Sequence, residues 1–157
     1  MSYTHLRAHE TLRHLVCRLL LEKKNFYGTG IDISKKCLKI TKINADKLKV
    51  SNRIKLFKSD VDKFNLGKYD LIVSSPPYIK TFKIKYLERD VAEFEPKLAL
   101  NGGLDGLSEI RKVIKKSSEL IKKNGKFILE IGHDQKNKVV NLLKNEGFYI
   151  NLSLIHI

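Results

Sequence analysis

The chain has 157 residues, enough for one domain with a core, and 42% of them are hydrophobic, which excludes a disordered composition. It holds no apolar run of 18 or more residues and no signal-peptide pattern, so no membrane partner is expected. The formal net charge of +14 admits an anionic partner such as nucleic acid, but the lysines are scattered from Lys35 to Lys144, as on solvated helix faces. Cys17 and Cys37 have no metal-ligand spacing and fit a reducing, cytoplasmic compartment; no metal is expected.

The segment 1–24 differs from the rest. It holds three arginines and three of the five histidines, His5, His9 and His14, with His156 near the other end. It resembles translated sequencing-adapter sequence, and 153–157 looks similar in kind, so both ends are expected to be non-native and 25–152 to be the domain. Two other readings stand beside this one. Leu12, Leu15, Val16, Leu19 and Leu20 fit an amphipathic helix. The pair His5 and His9 with His14 has a zinc-like spacing but no further ligand set.

From Tyr27 onward, strands and helices alternate. Tyr27–Asp32 predicts a strand, and Ser34 an N-cap for a helix to about Val50, with Leu38, Ile40, Ile43, Ala45 and Leu48 as its apolar side. Ile54–Phe57 predicts a second strand, ending at Ser59-Asp60, and Tyr69–Ser74 a third. Residues 80–100 read as a loop with a short helix, and Gly102, Gly103 and Gly106 as a turn. A helix is expected from Leu107 to Lys123, closed by Asn124-Gly125, then a strand over Lys126–Ile131. Asp134 is expected to cap a helix to about Glu146, Gly147 to end it, and Phe148–Leu152 to form the last strand. This alternation implies an α/β fold with all five strands in one mostly parallel sheet.

The chemistry is expected at the end of the third strand. The apolar run Leu71-Ile72-Val73 stops at Ser75-Pro76-Pro77-Tyr78. Two prolines hold φ near one value and offer no N–H groups, so the tip is stiff and presents acceptors. Its carbonyls can accept from a planar amino group, Tyr78 can stack on that group, and the Ser75 hydroxyl adds one polar contact. Holding an NH2 nitrogen toward an electrophile is catalysis by orientation. The plainer reading is a Pro-Pro turn that closes a strand. Asp32, at a strand end, can accept from both hydroxyls of a ribose, and Asp60-Val61 can flank an adenine. The plainer reading of either acid is a cap at a helix start.

The run Ser75-Pro76-Pro77-Tyr78 resembles the Asn-Pro-Pro-Tyr motif of methyltransferases that act on amide or amino nitrogens. With Glu93-Phe94-Glu95-Pro96, Gly102-Gly103-Leu104-Asp105-Gly106-Leu107 and Leu129-Glu130-Ile131-Gly132, it is similar to the HemK/PrmC family of protein-(glutamine-N5) methyltransferases over roughly Asn25–Leu152. The resemblance implies a Rossmann-like class I fold, S-adenosyl-L-methionine as cofactor, and a peptide-chain release factor as protein substrate. It assigns Ser75, Pro76, Pro77 and Tyr78 to the catalytic tip and, for the cofactor, Asp32 to the ribose, Asp60 and Val61 to the adenine, and Ser75 to a further contact. Ser75 replaces the family's Asn. The family's first strand with its glycine-rich loop has no counterpart here, because Gly28-Thr29-Gly30 sits inside a strand and suits close packing. The sheet is therefore expected to carry an unpaired gap, and an inactive fragment is one alternative. The other is a DNA or RNA amino-methyltransferase of the cytosine-N4 or adenine-N6 type, since Ser-Pro-Pro-Tyr also resembles the tip of cytosine-N4 DNA methyltransferases, which take a flipped base; only that reading calls for nucleic acid.

Overall fold

A computed structural model of the chain describes residues 26–87 and 96–151. The readings made for 1–24, for Glu93-Phe94-Glu95 and for 153–157 lie outside the described residues. The chain divides into two compact units between Asn65 and Leu66, and each is described by itself.

The first unit is one β–α–β repeat. Strand β1 (Gly28–Asp32) leads into helix α1 (Lys35–Lys47), a 3-10 turn over Ser51–Arg53 and strand β2 (Ile54–Lys58). The two strands pair in parallel, from Gly28 opposite Ile54 to Asp32 opposite Lys58. A Cβ on Gly30 would stand 2.9 Å from Leu56 Cδ2, so the Gly-x-Gly run serves close strand packing. Ser34 caps α1 as expected, its Oγ accepting from the Cys37 amide at 3.3 Å. The helix ends at Lys47, short of Val50, because Lys49 turns into the left-handed region at φ 55°. The Val50 amide then donates to Ala45 O and the Lys49 amide to Asp46 O, the two bonds of a Schellman close.

The apolar side of α1 differs from the expected one. Ala45 is buried, but Ile40, Ile43 and Leu48 are 48%, 44% and 38% exposed. At about 100° per residue, Ile40 and Ile43 fall on the side opposite Leu38 and Ala45, so one face cannot bury all of them.

The second unit carries strand β3 (Tyr69–Ser74), a 3-10 segment over Thr81–Tyr86, the single turn α2 (Lys97–Leu100), helix α3 (Ser108–Leu120), strand β4 (Ile121–Leu129) and helix α4 (Lys136–Asn145). Strand β4 starts earlier than expected and lies parallel to β3, with a register break between Tyr69 and Leu71. Asn124-Gly125 sits in that break rather than closing α3, with Asn124 at φ 64°. Helix α3 runs over 13 residues, and Ile110, Val113 and Ile114 are buried along one side of it. Leu107, Ile110, Ile114 and Val139 form the core, and Phe127 and Phe148 pack on it with ring centroids 5.4 Å apart.

Three further expectations are corrected. The strands form two separate two-stranded parallel sheets, not one five-stranded sheet. Among the described residues β1 pairs with β2 alone and β3 with β4 alone. No strand forms over Phe148–Asn151, and Leu152 lies outside the described residues. The reason is local: Gly147 turns at φ 81°, and the Phe148 amide donates to Leu143 O at 3.0 Å, so the helix end takes the donor that a strand would use. Asp134 does not cap α4; Gln135 occupies the cap position, and Asp134 faces Lys80 and Lys83 instead. No described helix is long and apolar enough to cross a membrane.

Candidate active site

In the second unit, β3 ends at Ser74, whose carbonyl accepts from the Glu130 amide at 3.0 Å. The chain then leaves the carboxyl end of β3 through Ser75-Pro76-Pro77-Tyr78, the end where ligands bind in open α/β sheets. Pro76 is buried, and Ser75, Pro77 and Tyr78 are half-buried. The Tyr78 ring packs against the Leu107–Val139 core, and its hydroxyl donates to Glu130 Oε1 at 3.1 Å.

The turn at Gly102–Gly106 lies flat against this tip. The Ile79 amide donates to Leu100 O at 3.0 Å, the Gly102 amide to Ile79 O at 2.8 Å, and the Thr81 amide to Gly103 O at 3.0 Å. Such contact leaves no room for side chains. A Cβ on Gly102 would stand 2.8 Å from Tyr78 Cα, and one on Gly106 2.5 Å from Tyr78 O. Gly106 also needs φ 76°, which only glycine adopts freely. The glycines that read as a turn are thus the bed on which the tip rests. Asn101 Oδ1 accepts from the Gly103 amide at 2.9 Å and from Thr81 Oγ1 at 2.8 Å, closing the turn from below.

Sequence reading missed Gln135. Its side chain joins three segments: Nε2 donates to Tyr78 O and Gly106 O, each at 3.0 Å, and Oε1 accepts from the Gly132 amide at 2.9 Å. Only 3% of the residue is exposed. The signal available was weak, a polar residue three places after Gly132 at the start of a helix.

Charged pairs surround this frame. Lys80 donates to Asp134 at 3.1 Å and Lys83 stands 3.8 Å away, and the Lys80 bond holds the Asp134 carboxyl below its ordinary range. Arg111 grips both oxygens of Asp105, at 2.5 and 3.3 Å, and the Leu107 amide adds a third bond. That arginine pairing, first, and the amide, second, hold the Asp105 carboxyl at about 2. His133 lies in an exposed turn. Among the described residues no group of three or more His, Cys, Asp or Glu stands together as a metal site.

Asp32 and Asp60 belong to the first unit. Asp32 is the last residue of β1 and Asp60 lies two residues past β2, and the Ser59 amide donates to Asp32 O at 3.1 Å. Asp32 Oδ1 accepts from the Ser34 amide at 2.7 Å, and Asp60 Oδ1 from the Asp62 amide at 3.3 Å. Both acids therefore make the local turn-capping contact of the plainer reading. Each does so with one oxygen, and the second oxygen has no protein partner among the described residues. Val61 is half-buried at the head of the 3-10 turn Val61–Lys63.

A family model described as an RMKL-like methyltransferase domain matches residues 5–91. The release factor glutamine methyltransferase of Clostridium acetobutylicum is 39% identical over 120 residues, covering 74% of this chain and 42% of that protein. That of Caulobacter vibrioides is 37% identical over 134 residues, covering 85% and 46%. A bifunctional methyltransferase of Rickettsia typhi is 37% identical over 134 residues, covering 85% and 26%. The chain thus spans less than half the length of these relatives. Among solved structures, the N-methyltransferase NodS of Bradyrhizobium japonicum WM9 superposes with a TM-score of 0.49 at 14% identity, over 90% of this chain and 84% of that one.

Proposed function

The chain belongs to the RMKL-like methyltransferase-domain family, and from that premise we propose that it takes a class I Rossmann-like fold and methylates a glutamine side-chain amide in a peptide-chain release factor. The proposed methyl donor is S-adenosylmethionine, which supplies a methyl group on a positively charged sulfur. The residues present fit it chemically. Asp32 keeps one carboxylate oxygen for ribose hydroxyls, Asp60 keeps one for an adenine amino group, and Val61 offers an apolar edge beside it.

The observation that carries the proposal is the tip itself. An amide nitrogen is a poor nucleophile because its lone pair is delocalised into the carbonyl. The chain's task is then to hold the NH2 group in one orientation. Ser75-Pro76-Pro77-Tyr78 offers carbonyl acceptors for it, its two prolines bring no competing N–H groups, and the backbone at Tyr78 and Ile79 is fixed by Gln135, Leu100 and Gly102. The Tyr78 ring is fixed too, by Glu130 at its hydroxyl and by the core around it. The names and identities of the Clostridium and Caulobacter relatives support a release factor as the substrate. The work is set in the cytoplasm, where translation ends.

Single-turnover methyl transfer to a release factor, with a cytosine-containing duplex in parallel, tests this. A carboxamide at position 75 accepts through its oxygen and donates through its nitrogen, whereas the serine hydroxyl is shorter. Ser75→Asn is expected to raise transfer to the release factor roughly tenfold to a hundredfold, the worth of one well-placed hydrogen bond of about 1–3 kcal/mol. Tyr78→Ala is expected to lower it. Loss of transfer in Ser75→Asn, or methylation of the duplex alone, refutes the glutamine assignment.

A further inference from the structure

We propose that Gln135 is the positioning residue of the tip: one buried carboxamide that sets where the Tyr78 carbonyl points. The role in transfer rests on the function proposed above, whereas the mechanical role does not.

A carboxamide nitrogen has two hydrogens, and both are used, one on Tyr78 O and one on Gly106 O. The oxygen is used as well, by the Gly132 amide. Its orientation follows from these partners: turned over, it would set its oxygen against two carbonyls and its NH2 against an N–H. The three groups come from different places, namely the tip after β3, the glycine turn before α3, and the end of β4. No backbone ladder joins all three among the described residues, and the side chain that does is 3% exposed. The glycines make room for it. A Cβ on Gly106 would stand 2.7 Å from Gln135 Nε2, and one on Gly132 3.1 Å from Oε1.

The geometric consequence is direct. The Tyr78 carbonyl shares a rigid peptide plane with the Ile79 N–H, which donates to Leu100 O. Fixing the carbonyl therefore fixes the strand-like bridge between Ile79 and Asn101 and the direction of the tip's backbone acceptors. Such a residue touches no substrate and acts through the tip. Its loss is expected to alter the rate of the oriented step more than cofactor affinity, because its bonds go to Tyr78, Gly106 and Gly132 and not to Asp32 or Asp60.

Two variants test this in the full chain. Gln135→Met keeps the volume and removes all three bonds; Gln135→Glu keeps an acceptor for Gly132 and, ionised, loses both donors. The first readout is amide hydrogen exchange. Both variants are expected to speed exchange at Ile79, Thr81 and Gly102 tenfold or more, with the α3 amides within twofold. The second is steady-state methyl transfer, where kcat is expected to fall tenfold to a hundredfold with the KM for S-adenosylmethionine within twofold. Unchanged exchange at the three amides, equal acceleration throughout α3, unfolding of both variants, or faster exchange with an unaltered kcat each overturns the proposal. If the unaltered chain methylates no amide at all, the function proposed above fails, and the exchange comparison still decides whether Gln135 holds the tip.

Discussion

The two units are built from the same pattern, parallel strands joined through helices, and are held together differently. In the first, the buried apolar side chains among the described residues are Ala45, Val50 and Phe64, and Ile40 and Ile43 of α1 are nearly half exposed. In the second, α3 and α4 close over a continuous core of Leu107, Ile110, Ile114 and Val139, and a buried carboxamide ties the loops above it. The contrast extends to the functional groups. The acids proposed for the cofactor sit on short local contacts to the next turn, whereas the tip proposed for the substrate rests on bonds to residues more than 20 positions away. A group that needs only to accept a hydrogen bond can be placed by its own turn; one that must orient a nucleophile needs several segments fixed at once.

The largest test of this contrast is truncation of the two helices. Ile110 is fully buried, and Ile110→Ala is expected to cost about 2–5 kcal/mol in urea unfolding. Ile43→Ala on α1 is expected to stay within about 0.5 kcal/mol. Equal costs would break the contrast between the two helices.

The glycines sharpen the same point. Gly106→Ala sets a Cβ against backbone at a positive φ and is expected to cost on the order of 2–3 kcal/mol and to slow methyl transfer with it. Gly30→Ala meets only the movable end of Leu56, and the change should stay within about 1 kcal/mol. A Gly30 variant as damaged as the Gly106 one would show that β1 and β2 are as tightly bedded as the tip.

The helix closes offer a paired experiment. Both α1 and α4 end in a Schellman close, one through Lys49 at φ 55° and the other through Gly147 at φ 81°. Lys49→Gly is expected to stabilise by about 1 kcal/mol, and Gly147→Ala to destabilise by about the same. No neighbour lies within 4 Å of a Cβ at Gly147, so that change reports backbone strain alone. Thermal unfolding of both variants checks the signs.

The smallest effect is in acid. Asp105 has its carboxyl at about 2, below an ordinary 3.8, because Arg111 and the Leu107 amide favour the charged form. A lowered value in the folded state gives stability that is fully present above about pH 4 and is lost as pH falls toward 2. Both side chains are well exposed, so the amount is expected to stay under about 1 kcal/mol. Asp105→Asn should flatten the acid limb of the stability curve between those values; an unchanged slope would show that the pair adds nothing.

Much of the first unit was legible in the residues, because its features are local. Ser34 before a helical run and the acids at strand ends each act on neighbours two or three positions away. The tip was legible as a stiff strand end for the same reason, since two prolines restrict their own backbone. The last strand was misread because Phe148 looked like a strand residue by hydrophobicity alone. Its amide belongs to the close of α4, and its ring to Phe127.

The sequence by itself determined the β–α alternation, the glycine and proline punctuation and the identity of the tip, all of which follow from backbone freedom and from apolar spacing within one element. The tertiary structure alone decided which apolar faces are buried, where the hydrogen-bond ladders stop, and that Gln135 joins the tip, the glycine turn and the end of β4. Those outcomes depend on groups far apart in the chain meeting at hydrogen-bond distance, and no periodicity within a segment encodes such a meeting.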